Sequence, residues 1–288
     1  RKITPGGVVT THAGTAGSRG SANGTGSAAR FAFPSGVAVD ADGNVVVADT
    51  GNHTIRKITP AGVVTTIAGV AGTSGDGGSL RLAKFSYPAA LALSTDGNTL
   101  FVGEFAGCVV RRITLAPTAI STLLGDGVCY HSSSGGLGAA TSTMNVVTMA
   151  VDSNNGLIVA DFNTFRMRRV DVISTRTSAY AGSGVVGPGA TAPRALNTSL
   201  IFVTALATAS DNGGGVWVAD SGRVFRIFAN GSLTQVGFPI GSISQNLEAI
   251  AVLPAGAGPG RSGSPCDLLI ITDSAVGRVA FADPCTST

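Results

Sequence analysis

The most regular candidates for chemistry in this chain are acidic side chains that recur at intervals of 53 to 59 residues. Five positions form the series: Asp49, Glu104, Asp161, Asp220 and Asp273. In the first three copies an arginine follows seven residues later: Arg56, Arg111 and Arg168. Gathered at one face of a fold, the carboxylates would form a ligand-binding ring. Paired within each repeat, they would be a structural hydrogen-bond and ion-pair device, which we favour because a binding site rarely needs the same group in every repeat.

One short acidic run resembles the opening of a calcium-binding loop. Residues 40–44 read Asp-Ala-Asp-Gly-Asn. A full loop needs further oxygen ligands and a bidentate glutamate at its twelfth position. Here the apolar residues 45–47 follow at once. The run therefore predicts a hairpin turn rather than an ion site.

The sequence offers no convincing catalytic constellation. A catalytic zinc needs three converging ligands, whereas the three histidines fall in an outer strand, a turn and a Gly/Ser-rich loop: His12, His53 and His131. No Gly-x-Ser-x-Gly motif lies on a strand-to-helix turn, so a serine nucleophile is not supported. The glycine-rich stretches 69–78 and 182–189 precede no helix and are predicted to be connections. We predict no catalytic residue, no metal and no cofactor.

The four cysteines fall where cross-strand pairs would bring them together. Cys266 and Cys285 flank the last hairpin and lie directly across from each other if its turn is centred between residues 275 and 276. Cys108 begins a third strand and Cys129 follows the next strand, so a second bridge is expected there. The alternative is four free thiols. Two disulfides would favour an oxidising compartment.

Sequons for N-glycosylation point to the same compartment. Four Asn-x-Ser/Thr motifs fall in predicted turns or loops, at Asn23, Asn52, Asn197 and Asn230. Glycans at such sites require a secreted protein and an accessible loop. We expect modification first at Asn52 and Asn230, since both lie in turns. The predicted location is extracellular, at the cell surface.

An internal repeat of four short strands positions all these residues. In its best copy the strands are predicted at about 36–40, 44–49, 54–58 and 63–68, bounded by Asp-Gly, Gly-Asn and Pro-Ala-Gly turns. A turn centred on residues 51–52 places Asp49 opposite Thr54 and diagonal to Arg56, within reach of a long side chain. The copies span about residues 31–83, 84–140, 141–195, 196–242 and 243–288, the last together with 1–30.

The first copy carries a motif that resembles the NHL repeat. Residues 37–58 read Val-Ala-Val-Asp-x-x-Gly-Asn-Val-x-Val-Ala-Asp-Thr-Gly-Asn-His-x-Ile-Arg-Lys-Ile. The other copies keep the strand pattern and lose the Asn-His pair. The resemblance implies an all-β fold, a β-propeller that is commonly six-bladed and acts as a binding platform, occasionally as an enzyme. We predict one domain over residues 1–288 with five countable four-stranded blades.

The two ends of the chain complicate the blade count. Residues 1–14 match residues 56–69, so the chain opens on a third strand, and the last copy ends after its third strand near Phe281. The strand Val8–Ala13 could complete the last blade and close the ring. The alternative is a sixth blade whose first half lies upstream. Without an initiator Met or a signal peptide, the chain is expected to be a mature product or an excerpt.

Composition narrows the function classes further. Only 12% of residues are charged, the net charge is +3, and 41 of 288 residues are glycine. The low charge and high glycine content exclude a coiled coil, a long disordered chain and a nucleic-acid binder. No apolar run is long enough for direct membrane insertion. We predict a non-catalytic extracellular glycoprotein propeller, serving as a structural or ligand-binding module. Its partners would be N-glycans and other protein chains, or further copies of itself in a surface assembly. The alternative is a lyase or hydrolase with a site at the central channel.

The cysteine arrangement gives a first testable prediction. We expect four alkylatable thiols only after reduction, because Cys266 pairs with Cys285 and Cys108 with Cys129. Intact-mass measurement after alkylation, with and without reductant, checks this. Four thiols reacting in the native, unreduced protein would contradict both disulfides and the extracellular location inferred from them.

Overall fold

The computed structural model shows an all-β chain of short antiparallel strands. It describes residues 1–4, 8–73, 79–129, 145–162, 164–183, 195–200, 202–209, 215–236, 247–253, 268–273 and 278–282. The chain divides into two compact units, Arg1–Val146 and Val147–Thr288. Within these described residues four single-turn 3-10 helices, η1 to η4, lie in the connections: Gly26–Ala28, Thr50–Asn52, Leu80–Leu82 and Ala195–Asn197.

The first unit begins with two very short strands and a five-stranded sheet. Strands β1 (Lys2–Ile3) and β2 (Val9–Thr10) pair with each other. The pairing predicted between residues 8–13 and the last blade stays a prediction. The sheet has the order β3-β7-β6-β5-β4. Its strands are β3 (Gly24–Thr25), β4 (Pro34–Val39), β5 (Val45–Asp49), β6 (Thr54–Ile58) and β7 (Val63–Ala68).

The second sheet of this unit repeats the same meander with four strands. Its order is β11-β10-β9-β8. The strands are β8 (Pro88–Leu93), β9 (Thr99–Glu104), β10 (Val109–Leu115) and β11 (Thr118–Leu124). A cluster of buried apolar side chains lies between the two sheets, with Ala48 and Ile55 from the first facing Leu91 and Val102 from the second. Apolar strands joined by Asp-Gly turns thus form blades that stack face to face.

The second unit contains two four-stranded sheets and a three-stranded one. The sheet orders are β12-β13-β14-β15, β16-β17-β18-β19 and β20-β21-β22. The strands of the first two are β12 (Val146–Val151), β13 (Leu157–Asp161), β14 (Arg166–Val170), β15 (Thr177–Ala181), β16 (Val203–Thr208), β17 (Val216–Asp220), β18 (Arg223–Ile227) and β19 (Leu233–Val236). Those of the third are β20 (Leu247–Leu253), β21 (Leu268–Asp273) and β22 (Arg278–Ala282).

In the third and fourth blades the second strand is the most deeply buried, as its apolar sequence predicts. Every residue of β13 and of β17 is buried. Strand β17 packs on both faces, since apolar clusters shared with the neighbouring sheets of its unit lie on either side of it. The strands predicted for the first copy lie within two residues of those observed, and Asp49 pairs with Thr54 as the predicted turn requires.

One disulfide bond is present in the described part of the chain. Cys108, before β10, is bonded to Cys129, after β11, with their Cα atoms 5.3 Å apart. This is one of the two pairings that the sequence predicts. In the last hairpin β21 and β22 pair Asp273 with Arg278, the register from which the other disulfide was predicted. Cys266 and Cys285 themselves lie outside the described residues.

In the first three blades a glycine directly after the fourth strand allows the chain to pass close to the start of the third. Gly125 has φ +87°, and a Cβ there would lie 2.2 Å from the carbonyl oxygen of Cys108. Gly69 and Gly182 have similar φ angles and would contact the carbonyl oxygens of His53 and Phe165 at 2.6 and 2.4 Å. No side chain fits at these distances. The glycines that the sequence assigns to connections therefore have a packing role.

Gly125 and Gly127 form a matched pair for testing this close approach. Both have positive φ, but a Cβ at Gly127 would have its nearest neighbour at 4.0 Å. Gly127→Ala should cost only the left-handed strain, about 1–2 kcal/mol. Gly125→Ala should cost at least about 2 kcal/mol more, since the backbone must move apart. Denaturant unfolding measures both variants. Equal destabilisation would show that the contact does not constrain the blade.

Candidate functional site

The recurring acids lie at one end of their blades, where each second strand ends and the first strand begins. Asp49 pairs with Pro34, Glu104 with Pro88 and Asp220 with Val203, in each case the first residue of the blade's first strand. We call the segments at this end of the blades in each unit its acid-bearing edge. The edge of the first unit contains Asp49 and Glu104. That of the second contains Asp161 and Asp220, with Asp273 at the end of β21.

Asp49 is fully buried and binds three donors. Its Oδ1 accepts the backbone N–H of Ala32 at 2.7 Å. Its Oδ2 accepts Nδ2 of Asn52 at 2.7 Å and a guanidinium N–H of Arg56 at 2.8 Å. The carboxylate thus joins the segment before β4, the turn after β5 and strand β6. Its lone pairs are directed into the protein, which suits a structural device rather than direct ligand contact.

Arg56 extends this network to the segment that precedes the blade. Its side chain is fully buried. Its guanidinium donates to the carbonyl oxygens of Arg30 at 3.1 Å and Ala22 at 3.0 Å, and to Oδ1 of Asn23 at 2.8 Å. A buried guanidinium needs such acceptors, because an unpaired charge in the interior is very costly. The predicted ion pair therefore also holds the segment 22–32 against the blade.

The second blade repeats the arrangement with glutamate. Oε2 of Glu104 accepts the backbone N–H of Ser86 at 2.5 Å, and its Oε1 lies 3.5 Å from the guanidinium of Arg111. Glu104 is 1% exposed and Arg111 is 3% exposed. The predicted pairing of the acid with the arginine seven residues later is therefore present in both blades of the first unit.

In the fourth blade a different arginine binds the acid. Asp220 accepts the backbone N–H of Phe202 at 2.5 Å and pairs with Arg223, directly across the hairpin. The seven-residue spacing cannot locate Arg223, since position 227 is isoleucine. The two-residue turn Ser221–Gly222 could have located it, because a shorter turn places the residue opposite Asp220 only three positions later in the sequence.

For the remaining two acids, Asp161 and Asp273, the structure describes only part of the surroundings. Asp161 is 3% exposed and accepts the hydroxyl of Thr164 at 2.8 Å. Its pairing with Arg168, which is buried, stays a prediction. Asp273 lies opposite Arg278 in the backbone register, and its side chain lies outside the described part of the structure. The four described carboxylates are at most 3% exposed. Their ligand-binding role is therefore less favoured than the structural one.

The turn predicted in place of a calcium loop joins β4 to β5. Oδ1 of Asp40 accepts the backbone N–H groups of Asp42 and Asn44. Burial alone would raise the pKa of Asp40, but hydrogen bonds from Asn44 and the charge of Lys57 outweigh it and lower that pKa. This contribution to stability is present above the unfolded-state pKa and is lost as the pH falls. Within the described residues no group of three metal-ligating side chains is found.

Exposed aromatic side chains at the acid-bearing edge of the first unit are a feature that the sequence analysis missed. Phe33 is 61% exposed, and Tyr87, at the equivalent position of the second blade, is 49% exposed. Both have left-handed backbone conformations, with φ of 47° and 52°. Arg19 stacks on the ring of Phe33 at 3.9 Å, and His53 packs edge-on against Tyr87 at 4.8 Å. Each follows the residue whose N–H binds the acid.

The acid-bearing edge of the second unit contains a small pocket between its first two blades. Its volume is about 10 Å³, enough for about one water molecule. Side chains from the β13–β14 turn and from the start of β16 form its walls. The aromatic lining residues are Phe162, Phe165 and Phe202, and the charged ones are Asp161 and Arg166. Phe202 is 42% exposed and precedes β16 as Phe33 precedes β4.

The structure separates the four sequons by exposure. Asn23, Asn197 and Asn230 are exposed, whereas Asn52 is only 9% exposed. Nδ2 of Asn52 donates to Asp49 and to the carbonyl oxygen of Gly20, both at 2.7 Å. A glycan on that nitrogen would disrupt both bonds. The preference for Asn52 is therefore corrected, because a turn position does not ensure an outward-facing side chain. Glycosylation at the three exposed sites stays a prediction.

Comparison with known proteins supports the family resemblance. The model of the NHL repeat matches residues 31–58. The NHL repeat predicted from the first copy is thereby confirmed. No curated protein matches the chain in sequence. In the described residues, no helix has the length and apolar character that spanning a membrane requires.

Solved structures of low sequence identity share the fold. The chain resembles a nidogen/laminin complex structure at 15% identity and TM-score 0.60, covering 91% of this chain and 80% of that chain. It resembles an auxiliary nutrient binding protein from Bacteroides ovatus at 10% identity and TM-score 0.61, covering 87% and 59%. A virginiamycin B lyase from Staphylococcus aureus gives 15% identity and TM-score 0.53, covering 88% and 69%. These likenesses show an all-β propeller fold.

The buried network makes neighbouring residues of β6 respond very differently to substitution. Arg56→Gln removes the charge that neutralises Asp49 in the interior. It should destabilise the protein by about 3–5 kcal/mol. Lys57→Gln removes a half-exposed pair with Asp40 at 3.5 Å and should cost at most about 1 kcal/mol. Denaturant unfolding monitored by fluorescence compares them. A similar decrease in the free energy of unfolding of the two variants would argue against a structural role for the recurring acids.

Proposed function

We propose that this chain is a non-catalytic extracellular propeller module that binds other protein chains through its acid-bearing edges. The observation that carries this proposal is the difference in exposure between the acidic and the aromatic side chains at these edges. The recurring carboxylates are buried and hydrogen-bonded, while Phe33, Tyr87 and Phe202 beside them are exposed by 61, 49 and 42%. Aromatic residues are enriched at protein interfaces, and charged residues are depleted from interface centres.

Backbone strain adds support for this role. A bulky residue with positive φ is a conformational outlier that persists only where its surroundings fix it, and such outliers cluster at functional sites. Phe33 and Tyr87 both have this conformation while their rings face solvent. Burial of the ring therefore does not offset the strain. Contact of the ring with a partner protein would offset this backbone strain.

The extracellular part of the proposal rests on covalent chemistry. The Cys108–Cys129 disulfide suits an oxidising compartment. The exposed sequons at Asn23, Asn197 and Asn230 would accept glycans there. A role as one unit of a larger surface assembly fits a chain with few charges, because electrostatic repulsion between its surfaces is small.

The enzyme alternative, a lyase or hydrolase, is less favoured. The same fold is used by binding proteins and by a lyase, so the fold alone does not select between them. General acid–base catalysis needs a carboxylate within reach of the substrate. The four described recurring acids instead bind backbone or side-chain donors and are almost completely buried.

A displayed peptide library selected on the wild-type chain tests the proposal. Binding of the selected peptides should weaken at least about tenfold, or ~1.4 kcal/mol, in Phe33→Asn, Tyr87→Asn or Phe202→Ala. Asparagine is used at the first two positions because it tolerates the left-handed conformation. Ile173→Ser is the control, since Ile173 is 91% exposed in the β14–β15 turn. Biolayer interferometry gives the affinities.

Two results would contradict the proposal. The first is a set of selected peptides whose affinity is unchanged by all three edge variants. The second is stoichiometric zinc or calcium in the purified protein, measured by elemental analysis, together with turnover of lactone or ester substrates, which would favour the enzyme alternative.

A further inference from the structure

The pair of strands β1 and β2 in the first unit has a close copy within the first blade. Residues 1–14 repeat the sequence of residues 56–69, which contain most of β6 and all of β7. In both places a threonine N–H donates to a valine carbonyl oxygen at 3.0 Å, from Thr4 to Val8 in the case of β1 and β2. The β1–β2 pair therefore has the conformation of the outer half of a blade.

Equivalent apolar side chains are buried in the first blade and exposed in the β1–β2 pair. Ile58 and Val64 are 6% and 1% exposed, whereas their counterparts Ile3 and Val9 are 43% and 59% exposed. One difference is the neighbouring strand, since β6 pairs with β5 on the side away from β7. In the described part of the chain β1 pairs with β2 alone. The other edge of β1 is therefore open, and an open edge readily pairs with a further strand.

The first strand of the first blade also has uncovered apolar side chains. Val37 and Val39 of β4 are 63% and 62% exposed. Leu91 and Leu93 take the equivalent positions in β8, where they join the apolar cluster between the first two blades, and Leu91 is only 7% exposed. The first blade thus covers this face of the second blade, while the same face of the first blade is exposed at β4.

The segment after β2 covers only the outer part of that face. Ala13 and Phe31 pack in a cluster that includes Val47 of β5. The equivalent cluster between the first two blades contains, in addition, Val46 and Ala48 from the second strand of the covering blade. A second strand like β5 would therefore satisfy both surfaces. We call the free edge of β1 and the exposed side of β4 together the open face.

The charge of Arg1 specifies one feature of such a strand. Arg1 takes the position of Arg56, whose guanidinium binds the carboxylate of Asp49 at the end of β5 at 2.8 Å. Arg1 is exposed and donates to the hydroxyl of Thr11. No ion pair among the described residues includes it. A strand with a carboxylate two positions beyond the residue opposite Arg1 would form the same charged pair.

We propose that the open face binds a β-hairpin of another protein chain, whose second strand is apolar and ends in a carboxylate. The second strand pairs with β1, and the hairpin covers Val37 and Val39. A folded second copy of this chain cannot supply the hairpin from its own first blade, since β5 is already paired on both edges, with β4 and β6. This inference goes beyond the proposed function, because it concerns a strand edge and a blade face rather than the exposed aromatics of the acid-bearing edges.

A fluorescein-labelled peptide of residues 34–50, which span β4 and β5, is the probe for the open face. The wild-type chain should bind it saturably, with a Kd of about 10–100 µM because the free peptide must become ordered on binding. A scrambled peptide of the same composition should not bind. Fluorescence anisotropy measures both.

Val8 and Val9 form a matched pair of positions for testing this mode of binding. Both are 59% exposed, but their counterparts Val63 and Val64 in the first blade are 39% and 1% exposed. Val9→Ser should therefore weaken peptide binding at least about tenfold. Val8→Ser should change it less than about twofold. Both side chains are exposed in the free protein, so thermal melting of the two variants should match the wild type.

The carboxylate of the peptide is tested together with Arg1. A peptide with Asp49→Asn should bind the wild-type chain at least about threefold more weakly. It should bind the Arg1→Gln chain as well as the unchanged peptide does, because the charged pair is already lost in that variant. Equal weakening of both chains by the peptide substitution would contradict the assigned register.

Amide hydrogen exchange locates the bound peptide. The N–H of Thr4 bonds to β2, so the N–H of the preceding residue Ile3 faces the open edge of β1, since neighbouring residues of a strand alternate in direction. Bound peptide should slow exchange at Ile3. Three results would overturn the proposal: no saturable binding at about tenfold the expected Kd, equal effects of Val8→Ser and Val9→Ser, or binding that leaves exchange at Ile3 unchanged.

Discussion

A buried carboxylate at the end of the second strand is the constraint on which each well-described blade depends. In the first blade Asp49 and Arg56 are both fully buried, so neither charge can be removed without leaving the other unpaired. Because the same aspartate also binds the N–H of Ala32, the ion pair fixes the entry of the chain into β4. The arrangement recurs with Glu104 and Ser86 in the second blade.

This constraint also explains where the aromatic side chains lie. Once the acid binds the N–H of Ala32 or Ser86, the next residue must turn sharply into the first strand, and it does so with a left-handed backbone. Its side chain, Phe33 or Tyr87, is thereby directed to solvent. At this edge the polar network is inside and these two aromatic rings are outside, the reverse of the usual distribution. That reversal connects a structural device to the proposed binding role.

The sequence predicted the strands closely, because β-branched runs bounded by Asp-Gly and Pro-Ala-Gly turns have few alternatives. It predicted Arg56 as a partner of Asp49 from the length of one turn. It failed for Arg223, where the turn is shorter. It misjudged Asn52, since a turn position does not say which way a side chain faces. It missed the exposed aromatics, because a single residue before a strand has no periodicity. The pocket at Arg166 depends on the packing of two blades, which no local pattern reveals.

Amide hydrogen exchange at Ala32, Ser86 and Phe202 tests the central claim most directly, since each of these N–H groups lies outside the strands and donates to a recurring acid. If the acids are structural, all three amides should be protected in the native protein, and Asp49→Ala should abolish protection at Ala32 while the amide of Phe202 stays protected. Exchange of all three at the rate of an unstructured chain would contradict the account, because the carboxylates would then be free for a ligand.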